Sequence, residues 1–162
     1  MLEVKEISLR QELQEIESLF SQTAAQKGLR LHVNVEDAVP AMVEADGLRL
    51  MQIVLNLVSN ALKFTHEGSV TVTVSLVKQE ETRAHLCFSV HDTGIGISHT
   101  KLQELFEPFT QADASTSRKY GGSGLGLSIV YKLVEAMGSH IEVQSSEGEG
   151  STFFFELALP IV

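Results

Sequence analysis

The chain predicts an α+β fold, a two-layer sandwich in which helices cover one face of a mixed, mostly antiparallel sheet. Several separate stretches carry apolar residues at helical spacing. Between them lie runs in which apolar and polar residues alternate, as in strands with one buried face. Two pairs of these runs are adjacent and separated only by polar or glycine-bearing turns, so antiparallel neighbours are expected.

In chain order, Leu9, Leu13, Ile16, Leu19 and Phe20 mark a first helix that ends near Gly28. Leu29, Leu31, Val33 and Val35 alternate as a strand, Pro40 breaks the run, and Val43 belongs to a short second strand. Asp46 is placed to cap a long helix from about Gly47 to Phe64, with Leu50, Ile53, Val54, Leu57, Val58 and Ala61 on its buried side. His66-Glu-Gly68 reads as a turn. Val70 to Leu76 and His85 to His91 read as two strands, with Lys78 to Arg83 as a hairpin loop. After Asp92 a glycine-bearing loop leads to a short helix around Thr100–Leu105 and then to a polar segment without sustained period. A helix from about Ser123 to Met137 follows, then strands near His140–Ser145 and Thr152–Leu159, with Leu159-Pro-Ile-Val read as a sheet edge closing the domain. The expected order is α-β-α-β-β-α-α-β-β.

The 162 residues are long enough for one domain with a real core, and 43% hydrophobic content fits a soluble globular chain. A net charge of −9 leaves no basic stripe for a nucleic acid. The single cysteine, Cys87, excludes an internal disulfide and reads as a small buried apolar residue. No apolar stretch reaches the length of a membrane span, so no direct membrane contact is expected and a cytoplasmic setting is, although a parent protein could be membrane-anchored.

Four motifs carry the chemistry. Arg118-Lys-Tyr-Gly-Gly-Ser-Gly-Leu-Gly-Leu-Ser-Ile-Val130 is a cation-led glycine loop running into a helix, where exposed backbone N–H groups can cradle phosphates. On the long helix, Asn56, Asn60 and Lys63 are spaced i, i+4, i+7 and share one stripe. Amide oxygens suit Mg²⁺ and a lysine suits phosphate, though two surface amides and a solvated lysine would give the same pattern. Asp92-Thr-Gly-Ile-Gly-Ile97 offers an acceptor-only carboxylate at a strand end, fit for an exocyclic amine such as adenine N6, or else a tight turn. An aspartic-protease reading of Asp-Thr-Gly needs a second paired carboxylate and finds none. Gly148-Glu-Gly-Ser-Thr-Phe153 is a hairpin entering a Phe-rich strand, and Leu105 to Asp113 is a turn with two aromatics.

In this order and spacing the elements resemble the ATP-binding catalytic domain of bacterial sensor histidine kinases, members of the GHKL or Bergerat ATPase superfamily. Asn56 to Phe64 matches the family's N box, and Asp92 to Ile97, Gly122 to Gly126 and Gly148 to Phe153 match its glycine boxes. Leu105 to Phe109 matches its F box, and the wording of residues 109–113 is similar to that of hybrid kinases. The resemblance implies one catalytic domain over 1–162 with a flexible ATP lid at about 107–122. It implies that Asp92 binds adenine N6 with Thr152 supporting it through water, and that Asn60, assisted by Asn56, holds Mg²⁺. Lys63 and Arg118 or Lys119 would face the phosphates, cradled by the N–H groups of Gly122, Ser123, Gly124, Leu125 and Gly126. The matched boxes and lid add Phe64, Gly94, Gly96, Ile97, Phe109, Tyr120 and Gly121 to the ATP-binding set.

Ser139 and Ser123 depart from the usual glycine and threonine of the family without threatening the site. No histidine lies in the family's phospho-acceptor setting, so the resemblance implies a kinase half whose partners are a histidine-bearing dimerisation domain and a response-regulator receiver domain. The same fold also serves ATP-hydrolysing conformational switches, which place a water-activating glutamate four residues before the metal-binding asparagine. Here that position is Asn56, whose amide cannot take the proton. A degenerate ATP-binding or docking module is the remaining alternative.

Overall fold

A computed structural model describes residues 3–65, 67–93, 123–146 and 150–162. Ten elements follow in order: β1 (Lys5–Ile7), α1 (Leu9–Gln26), β2 (Arg30–Val35), β3 (Val43–Ala45), α2 (Gly47–Phe64), β4 (Ser69–Gln79), β5 (Arg83–Asp92), α3 (Ser123–Ala136), β6 (Glu142–Ser146) and β7 (Gly150–Pro160). The helix expected around 100–105 and the lid lie outside the described residues.

The main sheet has the order β2-β4-β5-β7-β6. Only β2 and β4 run parallel, with α2 in the crossover between them; the other neighbours are antiparallel. This is the α+β arrangement expected, and α1, α2 and α3 are the helices among the described residues. Strand alternation sends Val70, Val72 and Val74 of β4, Leu86, Phe88 and Val90 of β5, and Phe153, Phe155 and Leu157 of β7 into the buried layer beneath the helices. Phe88 and Phe155, directly opposite in register, stack with ring centroids 5.2 Å apart. The other face carries Ser69, Thr71, Thr73, Cys87, Ser89 and Thr152, all half-buried. Burial, with the Glu156 and Glu142 carboxylates nearby, pushes the Cys87 thiol up, favouring its protonated form.

Both long helices begin at side-chain caps. Ser8 Oγ accepts from the Gln11 N–H at α1, and Asp46 accepts from the Arg49 N–H at α2. Leu50, Ile53, Val54, Leu57 and Val58 form the apolar stripe of α2 and are essentially inaccessible. That stripe places α2 against β4 and β5 on one side and α3 on the other.

One feature differs from the sequence-based reading: a separate two-stranded sheet pairs the expected β3 with β1, a three-residue strand too short to stand out by pattern. In the main sheet β7 lies between β5 and β6, but beyond residue 154 it pairs with β5 alone, so Leu159 and Pro160 lie along a stretch of β7 that β6 does not cover. The last residues are tied inward: Ile161 bridges Val43, and its N–H donates to the Thr82 carbonyl at 2.9 Å. Proline is tolerated at 160 because β6 pairs only with residues 150–154 and leaves the far end of β7 without that neighbour.

Candidate nucleotide site

α2 supplies the first group. Asn56, Asn60 and Lys63 emerge half-buried beside the apolar stripe, neither sunk in the core nor fully in water. Such edge positions suit side chains that meet a ligand at the rim of the helix layer. α2 ends at Thr65, an extended residue with φ −103° and ψ 124°, and its side chain is wholly buried. The Thr65 hydroxyl has no hydrogen-bond partner among the described residues.

β5 supplies the second. Asp92 closes the strand and is 5% exposed, on the helix-covered face with Phe88 and Val90. Its position is locked by neighbours on both sides. The Thr93 N–H donates to the Ser69 carbonyl at 3.1 Å, and the Ser69 N–H donates to Thr93 Oγ1 at 3.0 Å. On the other side, Gly150 opens β7 at φ +106°, and a Cβ there would lie 2.1 Å from the Asp92 carbonyl oxygen. Glycine is required at 150 both by that conformation and by the close approach of the two backbones.

The β5–β7 register revises one expectation. Thr152 stands opposite His91 on the sheet face away from the helices, with Thr152 Oγ1 2.7 Å from His91 Nδ1. Ser151 stands opposite Asp92 and is 3% exposed on the same covered face. The reason is strand parity: neighbouring side chains point to opposite faces, so a shift of one residue exchanges them. A signal was present in the sequence. Phe155, Leu157 and Leu159 alternate with Glu156, which sets the odd-numbered residues inward and therefore Ser151, not Thr152, on the covered face.

α3 supplies the third group. Its first turn is made by Ser123, Gly124, Leu125 and Gly126, so the backbone N–H groups of this glycine segment are those of a helix start. Val130 and Val134 anchor the helix in the core. Phe64 is the last residue of α2. Gly94, Gly96, Ile97, Phe109, Arg118, Lys119, Tyr120, Gly121 and Gly122 lie outside the described residues. Among the described residues no cluster of three or more histidine, cysteine and carboxylate side chains is placed to hold a metal. Asn56 and Asn60 offer a different donor type: two neutral, hard oxygens at adjacent turns of one helix.

Comparison with known proteins agrees with this architecture. The family of histidine kinase-, DNA gyrase B-, and HSP90-like ATPases matches residues 45–161. Signal transduction histidine-protein kinase BarA of Escherichia coli strain K12 is 42% identical over 161 residues, covering 99% of this chain and 18% of BarA. Sensor protein GacS of Pseudomonas syringae pv. syringae is 46% identical over 153 residues, covering 94% of this chain and 17% of GacS. Full-length ShkA in complex with AMPPNP superposes with a TM-score of 0.83 at 34% identity, over 100% of this chain and 32% of ShkA. The nucleotide-free catalytic domain of histidine kinase ThkA superposes with a TM-score of 0.72 at 25% identity, over 96% of this chain and 95% of ThkA's. The chain belongs to this ATPase family and is an ATP-binding catalytic domain of the sensor histidine kinase type. It spans less than a fifth of the length of the curated relatives named, 18% and 17%. No helix among the described residues is long and apolar enough to cross a membrane.

Proposed function

We propose that this domain binds Mg-ATP and supplies the γ-phosphate to a histidine on a separate dimerisation domain, from which a response-regulator receiver domain then takes it. The carrying observation is the placement of Asp92: a buried acceptor at a strand end, on the same covered face against which α2, the helix bearing Asn56, Asn60 and Lys63, is packed. Asp92 would accept from the adenine amino group, and Ser151, its partner across the ladder, takes the supporting place first expected of Thr152. Asn60 with Asn56 would hold Mg²⁺, which when bound neutralises phosphate charge. Lys63, at the last turn of α2, and the helix start at Ser123–Gly126 would meet the phosphates. Arg118 and Lys119, ahead of that glycine segment, would add charge there.

In the transfer, the bond from the γ-phosphorus to the β,γ-bridging oxygen breaks, a bond to the acceptor imidazole nitrogen forms, and ADP leaves. The domain contributes positioning and charge neutralisation, which is most of what phosphoryl transfer asks of a protein. Asn56 argues against a water-activating ATPase, since an amide cannot serve as the general base. The test is a calorimetric titration of wild type and Asp92→Asn with a non-hydrolysable ATP analogue and Mg²⁺, with a GTP analogue as control. Adenine-selective binding that Asp92→Asn weakens by roughly 10- to 100-fold is expected for loss of a charge-assisted bond. Equal binding by both would refute the base pocket, and no binding by wild type would leave a docking module. Rapid steady-state hydrolysis of ATP by the pure domain would instead favour the conformational-switch reading.

A further inference from the structure

Resting on the nucleotide reading above, we propose that Lys27 is a positioning residue for the phosphate end of the site: its ammonium closes the carboxyl end of α2 and thereby holds Asn60 and Lys63. The last carbonyls of a helix have no partners within it, and many helices answer this with a left-handed residue that folds the chain back. α1 does so. Gly28 at φ +71° lets its N–H donate to the Ala25 carbonyl at 3.0 Å while the Leu29 N–H donates to the Ala24 carbonyl at 2.9 Å. At the end of α2 the C-cap residue Thr65 is instead extended, not helical as the corresponding Lys27 of α1 is.

Donors to the last carbonyls of α2 come from elsewhere in the chain. Lys27 Nζ donates to the Leu62 carbonyl and lies 3.4 Å from the Lys63 carbonyl. The reach is fixed by the fold: Lys27 is the C-cap residue of α1, and two residues after the Gly28 turn the Arg30 N–H donates to the Gly68 carbonyl at 3.0 Å. The α1–β2 turn is thus fastened alongside the α2–β4 connection, with Lys27 over the end of α2. A cation there is favoured by the negative end of the helix dipole and supplies donors to two carbonyls. The turn it holds is the one that bears Asn60 and Lys63. Through that turn, Lys27 acts on metal and phosphate binding without touching either.

The experiment compares wild type, Lys27→Met, Lys27→Arg and a control with the same charge change on exposed β1, Lys5→Met. Each is titrated with a Mg-loaded non-hydrolysable ATP analogue and with adenosine, and amide exchange is followed over residues 60–64. Lys27→Met is expected to weaken the ATP analogue by about 3- to 10-fold, the range of a helix-terminus charge, while adenosine binding is unchanged. Amide exchange in the last turn of α2 should accelerate. Lys27→Arg should restore most of the affinity, and Lys5→Met should match wild type. Equal losses for adenosine and the ATP analogue would mean general loosening and overturn the positioning role, as would an unaffected Lys27→Met. Absence of binding by wild type itself would overturn the nucleotide reading, and the positioning role with it.

Discussion

Asp92 and Ser151 face each other across the β5–β7 ladder, both nearly inaccessible and both on the helix-covered side of the sheet. One step along β7, Thr152 is bonded to His91 on the opposite side. Substitutions at adjacent positions should therefore separate cleanly. Ser151→Ala is expected to weaken ATP-analogue binding by about 2- to 10-fold, the worth of one neutral hydrogen bond. Thr152→Ala should leave affinity unchanged. Titration calorimetry of the two variants decides the matter, and a larger loss at Thr152 would restore the original assignment.

Asp46 joins the entry of the chain to α2. Its carboxylate accepts from the Glu3 N–H at 2.8 Å and the Arg49 N–H at 3.1 Å, and the Arg49 guanidinium lies 3.3 Å away. Burial pushes this carboxyl up, but the two backbone bonds and the guanidinium outweigh it and hold the group below its ordinary value. Asp46→Ala should cost about 1–2 kcal/mol at neutral pH, the usual loss for a helix cap. Because the folded group titrates lower than the unfolded one, its contribution is complete above the unfolded value of about 4 and is lost as pH falls through the folded value. Denaturant melts of wild type and variant should thus converge in acid and differ most near neutrality.

Gly150 admits no side chain. A Cβ there would lie 2.1 Å from the Asp92 carbonyl oxygen and 3.0 Å from Thr93 Cα, at a φ of +106°. Gly150→Ala should destabilise the domain by more than about 1 kcal/mol and weaken nucleotide binding, since the strand end carrying Asp92 must move to make room. Thermal melts with and without ATP analogue would show both effects; a variant with wild-type stability would exclude this packing.

Thr65 presents the opposite case. Its hydroxyl is buried without a partner among the described residues, a penalty of about 1–3 kcal/mol, in an extended conformation that a β-branched apolar residue adopts readily. Thr65→Val is therefore expected to leave the melting temperature of the free domain unchanged or to raise it. A clear loss of stability would show that the hydroxyl is bonded in solution.

Most of the fold was legible because it rests on local rules. The cap at Asp46, the limits of α2 and the alternation along β4, β5 and β7 follow from side-chain period and turn chemistry, each read within a few residues. The same holds for the i, i+4, i+7 stripe of Asn56, Asn60 and Lys63, whose common edge is dictated by helical pitch. Composition likewise excluded an internal disulfide, since the chain has one cysteine.

What tertiary structure alone decided are relations between distant segments. Alternation along β7 already turns Ser151 rather than Thr152 inward, but its pairing with Asp92 depends on how β7 registers against β5, some 60 residues away in sequence. Lys27 meets the end of α2 only because the parallel β2–β4 pairing brings two turns side by side, and β1 exists only because β3 offers it an edge. Hydrogen bonds of this kind join groups whose spacing along the chain carries no period, so only their approach in the folded molecule makes them visible.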